Sequence, residues 1–162
     1  MRKELTTDNS KAGRKVEALV STLPEIHHRP WGYYEILAHG PGYLVKRITV
    51  DPGKRTSLQW HKLRDEDWVF VDGTDCEITE SDSYGTEYIT NNPYSVFIIK
   101  GELHRISNTG TKPLVIIEIQ TSDEPDGCRE DDIHRIEDDY DREVECRNSS
   151  LKEQMDTYDP TW

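Results

Sequence analysis

The stretch YLVKRITV (43–50), DPGK (51–54), TSLQWH (56–61), and then DWVFV (67–71) decides the fold class. Its β-branched and aromatic runs last four to eight residues and are cut by Pro-Gly or charged turn chemistry. The pattern continues on both sides. Upstream lies YYEIL (33–37) and the turn HGPG (39–42). Downstream come CEITE (76–80), TEYIT (86–90), SVFII (95–99), LHRIS (103–107) and PLVIIEI (113–119). VDGT, NNP, KG and NTGTKP punctuate them. No helical pattern of crossover length intervenes, so parallel βαβ units are not expected. Many short strands at roughly even spacing predict an all-β sandwich or barrel, and a small barrel or jelly roll also disposes of exposed strand edges.

The remainder divides around this core. Residues 1–28 form an N-terminal arm in which Val16, Leu19, Val20 and Leu23 fall on one face of a short helix that Pro24 ends. The barrel is assigned to 29–122. Residues 123–162 form an acidic C-terminal extension, with Ile133, Ile136 and Tyr140 at the spacing of a short helix. The 162 residues suffice for one domain. A net charge of −12 disfavours nucleic acid and anionic membrane as partners, although a local basic cluster can still hold a small anion. Neither a secretory leader nor an apolar run of spanning length is present, and the three cysteines lack CxxC spacing. The expectation is a reduced, cytoplasmic protein without a membrane partner.

The chemistry-bearing segment is GKRTSLQWHKLRDEDW (53–68). Gln59 and His61 share one strand face, and a hairpin brings Glu66 beside them. Glu66, Trp68 and Phe70 share a face of the next strand, and His104 opens a later one after the Lys100-Gly101 turn. One amide oxygen, two imidazoles and one carboxylate make a mixed N/O set for a divalent metal. Zinc is the first expectation, with Mn, Fe, Co and Ni also compatible.

These segments resemble the two motifs of the cupin superfamily, G-x5-H-x-H-x3-4-E-x6-G and G-x5-P-x-G-x2-H-x3-N. Gly53, His61, Glu66 and Gly73 match the first, with Gln59 in its leading His position. Gly101, His104 and Asn108 match the second, with Pro93 and Ile99 in place of its usual Gly and Pro. Within the cupins the chain is similar to the type II mannose-6-phosphate isomerase domain, also found C-terminal in bifunctional mannose-1-phosphate guanylyltransferase/mannose-6-phosphate isomerases. The strings RPWGYYE (29–35), VKRITV (45–50), SLQ (57–59) and EDDIHRIEDDYDR (130–142) carry this closer resemblance. Lys62, Leu63 and Asp67 stand where that family has histidine, and Asp141 stands where it has glycine. The glycine-rich nucleotide-binding segment of the guanylyltransferase is absent from the sequence, so that activity is not expected.

The resemblance implies a metal-dependent aldose–ketose isomerase converting mannose 6-phosphate to fructose 6-phosphate, with Gln59, His61, Glu66 and His104 as metal ligands. It also implies a homodimer. Lys46, Asp67 and Arg142 are the catalytic candidates, Lys46 or Asp67 as base and Lys46 or Arg142 at the phosphate. Arg55, Arg64, Arg105 and Arg135 are further substrate-binding candidates. The alternatives are a non-catalytic or regulatory sugar-binding cupin and another metal-dependent cupin enzyme.

Overall fold

The structure, a computed structural model, describes residues 24–71, 75–81 and 86–144. The N-terminal stripe, Gly73, Cys146 and the chain beyond 144 lie outside the described residues. Eleven strands are present among the described residues: β1 (Ile26–Arg29), β2 (Gly32–Gly40), β3 (Tyr43–Val50), β4 (Leu58–Trp60), β5 (Asp65–Phe70), β6 (Cys76–Ser81), β7 (Glu87–Asn91), β8 (Ser95–Ile98), β9 (His104–Asn108), β10 (Leu114–Thr121) and β11 (His134–Glu137).

They pair into two antiparallel sheets, ordered β1-β2-β3-β10-β5-β8 and β11-β4-β9-β6-β7. The arrangement is all-β and resembles a jelly roll. Among the described residues each sheet runs from one edge strand to another, and neither sheet closes on itself. Within this region no helix is long and apolar enough to cross a membrane.

Period-two alternation sets the inward face. In β10, Leu114, Ile116, Glu118 and Gln120 are buried, while the residues between them are half-buried or exposed. In β3 the inward set is Leu44, Lys46, Ile48 and Val50, and in β5 Glu66 and Trp68 are buried. Val50 pairs with Leu114, Ile48 with Ile116, Lys46 with Glu118, and Gln120 with Glu66. The inward face is therefore aliphatic at one end and polar at the other. At the aliphatic end these side chains pack with Ile78 and Ile106 of the second sheet. Full burial of each such side chain is worth about 1.5–3 kcal/mol. The polar end would be costly to bury unless its groups were paired, and that pairing is where the chemistry lies.

Two glycines have backbone reasons. A Cβ on Gly32 would sit 2.1 Å from the Thr49 carbonyl oxygen. Gly101 has φ 91° and donates its N–H to the His61 carbonyl at 2.7 Å, tying the turn before β9 to the end of β4.

The segment expected to turn helically at Ile133–Tyr140 instead contains β11. His134 and Arg135 pair with Trp60 and Gln59 of β4, and the His134 and Trp60 rings stack with centroids 4.1 Å apart. An open sheet edge supplies partners for a four-residue segment, whereas an isolated helical turn has a nucleation cost it cannot recover.

Candidate metal centre

His61 follows β4, Glu66 lies in β5 and His104 opens β9, so two sheets contribute. The ligand atoms of these three buried residues lie within 4.8 Å of one another. His61 Nε2 is 3.1 Å from Glu66 Oε1, and His104 Nε2 is 3.7 Å from Glu66 Oε2. Each imidazole uses Nδ1 elsewhere: His61 on the Asp132 carbonyl at 2.5 Å, His104 on the Glu102 carbonyl at 3.0 Å. A carbonyl only accepts, so both Nδ1 atoms carry hydrogen and both Nε2 atoms are the ring nitrogens that face Glu66.

His104 Nε2 is buried without a hydrogen-bond partner. Burial drives the His104 pKa down to about 4 against the opposing pull of Glu66, so the ring is neutral at pH 7. For Glu66, burial acts to raise the pKa, but His61, His104 and Arg64 together hold it well below the usual carboxylate range. Its oxygens also accept from Arg64 Nε at 2.9 Å, Trp68 Nε1 at 3.1 Å and Gln120 Nε2 at 3.3 Å. Two buried imidazoles, one ionised carboxylate and the orphaned His104 ring nitrogen fit a divalent metal, which His61, Glu66 and His104 would hold. Gln59 lies opposite His104 in the β4–β9 pair, and its Oε1 accepts from Ser57 Oγ at 2.6 Å.

Beside this cluster lies a cavity of about 120 Å³, with Gln59, Arg64, Trp68 and Gln120 in its wall. Lys46, Glu118, Glu130 and Tyr34 line it as a connected group. The Lys46 ammonium is ion-paired with Glu130, lies 3.5 Å from Glu118 and sits 4.8 Å from the Tyr34 ring centroid. The Tyr34 hydroxyl donates to Glu130 at 2.9 Å and accepts from Arg29 at 3.0 Å. Burial and the Glu130 charge raise the Tyr34 pKa, which keeps it a donor. The two carboxyls diverge. Burial, then the Glu66 charge, raises Glu118 to about 7, partly offset by Lys46 and Arg64. Glu130 is lowered, because Lys46 and the Tyr34 hydroxyl outweigh its burial.

The structure brings Lys46, Gln59, Arg64 and Arg135 to the cavity and His61, Glu66 and His104 to the adjoining cluster. Arg64 is committed within the site. Besides Glu66 it donates to the Arg129 and Asp132 carbonyls at 2.8 and 2.9 Å and lies 3.1 Å from His61 Nε2. Arg135 has a buried Nε without a partner; burial and then neighbouring Arg142 lower its pKa.

Four candidates fall elsewhere. Asp67 is exposed, because the alternation that turns Glu66 and Trp68 inward turns it outward. By the same rule Arg105 faces away from His104, and it pairs with Glu137 at 3.2 Å. Arg55 makes a two-pronged contact with Asp139 at 2.7 and 2.8 Å. Arg142 is captured four residues back by the Asp138 carboxylate, which also accepts its backbone N–H at 3.0 Å. The residues that sequence reasoning missed are Glu118, Glu130, Tyr34 and Arg29. Glu118 had a signal: it continues the inward face of Leu114 and Ile116, where a carboxylate demands a reason.

Residues 18–138 match the family described as Mannose-6-phosphate isomerase C-terminal. The chain belongs to that family. As a cupin-type isomerase-family domain it is 40% identical over 140 residues to xanthan biosynthesis protein XanB of Xanthomonas campestris pv. campestris, covering 86% of this chain and 28% of that protein. It is 43% identical to alginate biosynthesis protein AlgA of Pseudomonas aeruginosa, covering 73% and 23%. With a mannose-1-phosphate guanylyltransferase of Salmonella muenchen it shares 43% identity, covering 67% and 22%. The isomerase-family chain thus spans about a quarter of the length of these relatives. Solved structures share the fold. Oxalate decarboxylase from Bacillus subtilis aligns at TM-score 0.61 and 15% identity, over 83% of this chain and 40% of that one. Capsular polysaccharide assembling protein CapF from Staphylococcus aureus aligns at TM-score 0.61 and 18% identity, over 73% and 35%.

Proposed function

We propose that this domain is a metal-dependent aldose–ketose isomerase acting on a sugar phosphate, with mannose 6-phosphate and fructose 6-phosphate as the substrate pair. One observation carries the reading: a buried His61–Glu66–His104 cluster adjoins a cavity lined by Arg29, Lys46, Arg64 and Arg135. A divalent metal held there, zinc first among the candidates, would supply Lewis-acid stabilisation of developing oxygen charge. The chain's own residues supply the rest. Arg64, Trp68 and Gln120 hold Glu66 in place, and the Asp132 and Glu102 carbonyls orient the imidazoles. Arg135, with its unpartnered buried Nε and with Arg29 on the same cavity wall, is the group best suited to receive a phosphate.

The replaced family histidines are the argument for a non-catalytic relative, and their positions weaken it. Lys62 and Asp67 are exposed, Leu63 is half-buried, and none of the three lines the cavity. Their replacement removes no side chain from it.

The test is a coupled assay of mannose 6-phosphate conversion to fructose 6-phosphate with added divalent metal. Turnover is expected in the wild type and should vanish in His61→Ala and His104→Ala. A wild type no faster than those two variants would refute the isomerase reading.

A further inference from the structure

We infer that Glu118 is the proton-transfer residue of this site, the carboxylate that carries a hydrogen between C1 and C2 of the open-chain sugar phosphate; the assignment rests on the isomerase reading above. Among the described residues Glu118 and Glu130 are the acids that line the cavity. Glu130 is occupied, with one oxygen on Lys46 and the other on the Tyr34 hydroxyl. Glu66 is committed to the imidazole pair, Arg64 and Trp68. The Asp132 oxygens accept the backbone N–H groups of Lys62 and Leu63. Glu118 differs from all three. Gln120 Nε2 at 2.9 Å and Lys46 Nζ at 3.5 Å both address its Oε2, so Oε1 is left to meet a substrate. The Gln120 amide also donates to Glu66 Oε1 at 3.3 Å, so one side chain registers the proposed base against the metal cluster.

The proton balance closes with one carboxylate. Glu118 takes the hydrogen from C2, the C2–H pair becomes the C1=C2 bond, and the carbonyl π pair moves to O1, giving an enediolate. The O2 proton passes to O1. The resulting O2 charge re-forms a carbonyl at C2 as protonated Glu118 returns its hydrogen to C1. No external oxidant or reductant enters.

The electrostatics agree with the geometry. The charged and titratable groups facing Glu118 are Tyr34 from β2, Lys46 from β3, Arg64 and Glu66 at β5, and Glu130 ahead of β11. Burial, then the Glu66 and Glu130 charges, raise Glu118 to about 7 against the opposing pull of Lys46 and Arg64, while Glu130 is lowered. Carboxyls driven apart in this way divide into a proton carrier and a permanent anion. A base must be ionised, so activity should fall as pH drops through this range.

Glu118→Gln preserves the shape and an acceptor for Gln120, so the variant should fold and keep its metal. The expected result is a kcat lower by roughly 100- to 10,000-fold, with KM changed by less than about threefold. Wild-type kcat/KM should show an acid limb near pH 7. Lys46→Met should move that limb to higher pH, because it removes a charge that favours ionised Glu118. Glu118→Gln with kcat within about tenfold of wild type, or losing metal in proportion to activity, overturns the assignment while leaving the isomerase reading standing. A wild type without turnover overturns both.

Discussion

Replacing Asp132 with alanine should loosen the loop that carries His61 and Arg64, and the size of the effect follows from its contacts. Asp132 is 4% exposed. Its two carboxylate oxygens accept the N–H groups of Lys62 and Leu63, each at 3.1 Å, and Oδ2 lies 3.7 Å from Arg64 Nη1. Its carbonyl accepts from His61 Nδ1 and Arg64 Nη1. Each bond to a charged acceptor is worth about 1.5–3 kcal/mol, and the two share one loop, so Asp132→Ala should cost about 3–5 kcal/mol. Against a stability of about 5–15 kcal/mol that is a large fraction. Asp132→Asn keeps one acceptor but turns an amide N–H₂ toward the second backbone donor, and should lose about half as much. Because the His61 ring is oriented through the same residue, metal affinity should fall by about 10- to 100-fold. Urea unfolding in chelator, followed through tryptophan fluorescence, reads the first effect, and metal titration reads the second. An Asp132→Ala variant within about 1 kcal/mol of wild type would refute the clamp described for this residue.

Two further outcomes are expected. After chelation, restoring zinc to about 100 times its dissociation constant should stabilise the wild type by about 3 kcal/mol. His104→Ala should abolish that gain, and a wild type whose melting point ignores metal would count against the centre. Asp141 holds φ 57°, the left-handed region, where the resembled family has glycine. Asp141→Gly should therefore raise the melting temperature, by up to about 1 kcal/mol in stability, and a lower one would contradict the strain argument.

Much of the fold and the centre was legible in the residues. Short β-rich runs cut by turn residues identified the strands between 33 and 119, and strand geometry identified the shared face of Glu66 and Trp68. Asp67, a candidate base in the sequence, lies exposed on the opposite face. Gln59 and His61 at i and i+2, followed by the hairpin to Glu66, are local relations that strand geometry alone supplies. Glu130 was not legible as a cavity residue, and Arg135 stood only as one of several arginine candidates for the substrate. Both reach the cavity because the tail crosses back and β11 pairs with β4, roughly 75 residues earlier in the chain.

The sequence by itself determined that the chain is β-rich, that its strands carry one inward face each, and that His61, Glu66 and His104 are suited to a metal. These are matters of residue type and short-range geometry. Tertiary structure alone decided how the strands divide between two sheets, and that β11 is a strand. It also decided which carboxylate stays near neutral pKa beside the cavity. A pKa and a sheet edge both depend on what the rest of the chain brings alongside, and Glu118 meets Lys46, Arg64 and Glu66 only once β3, β5 and β10 lie side by side.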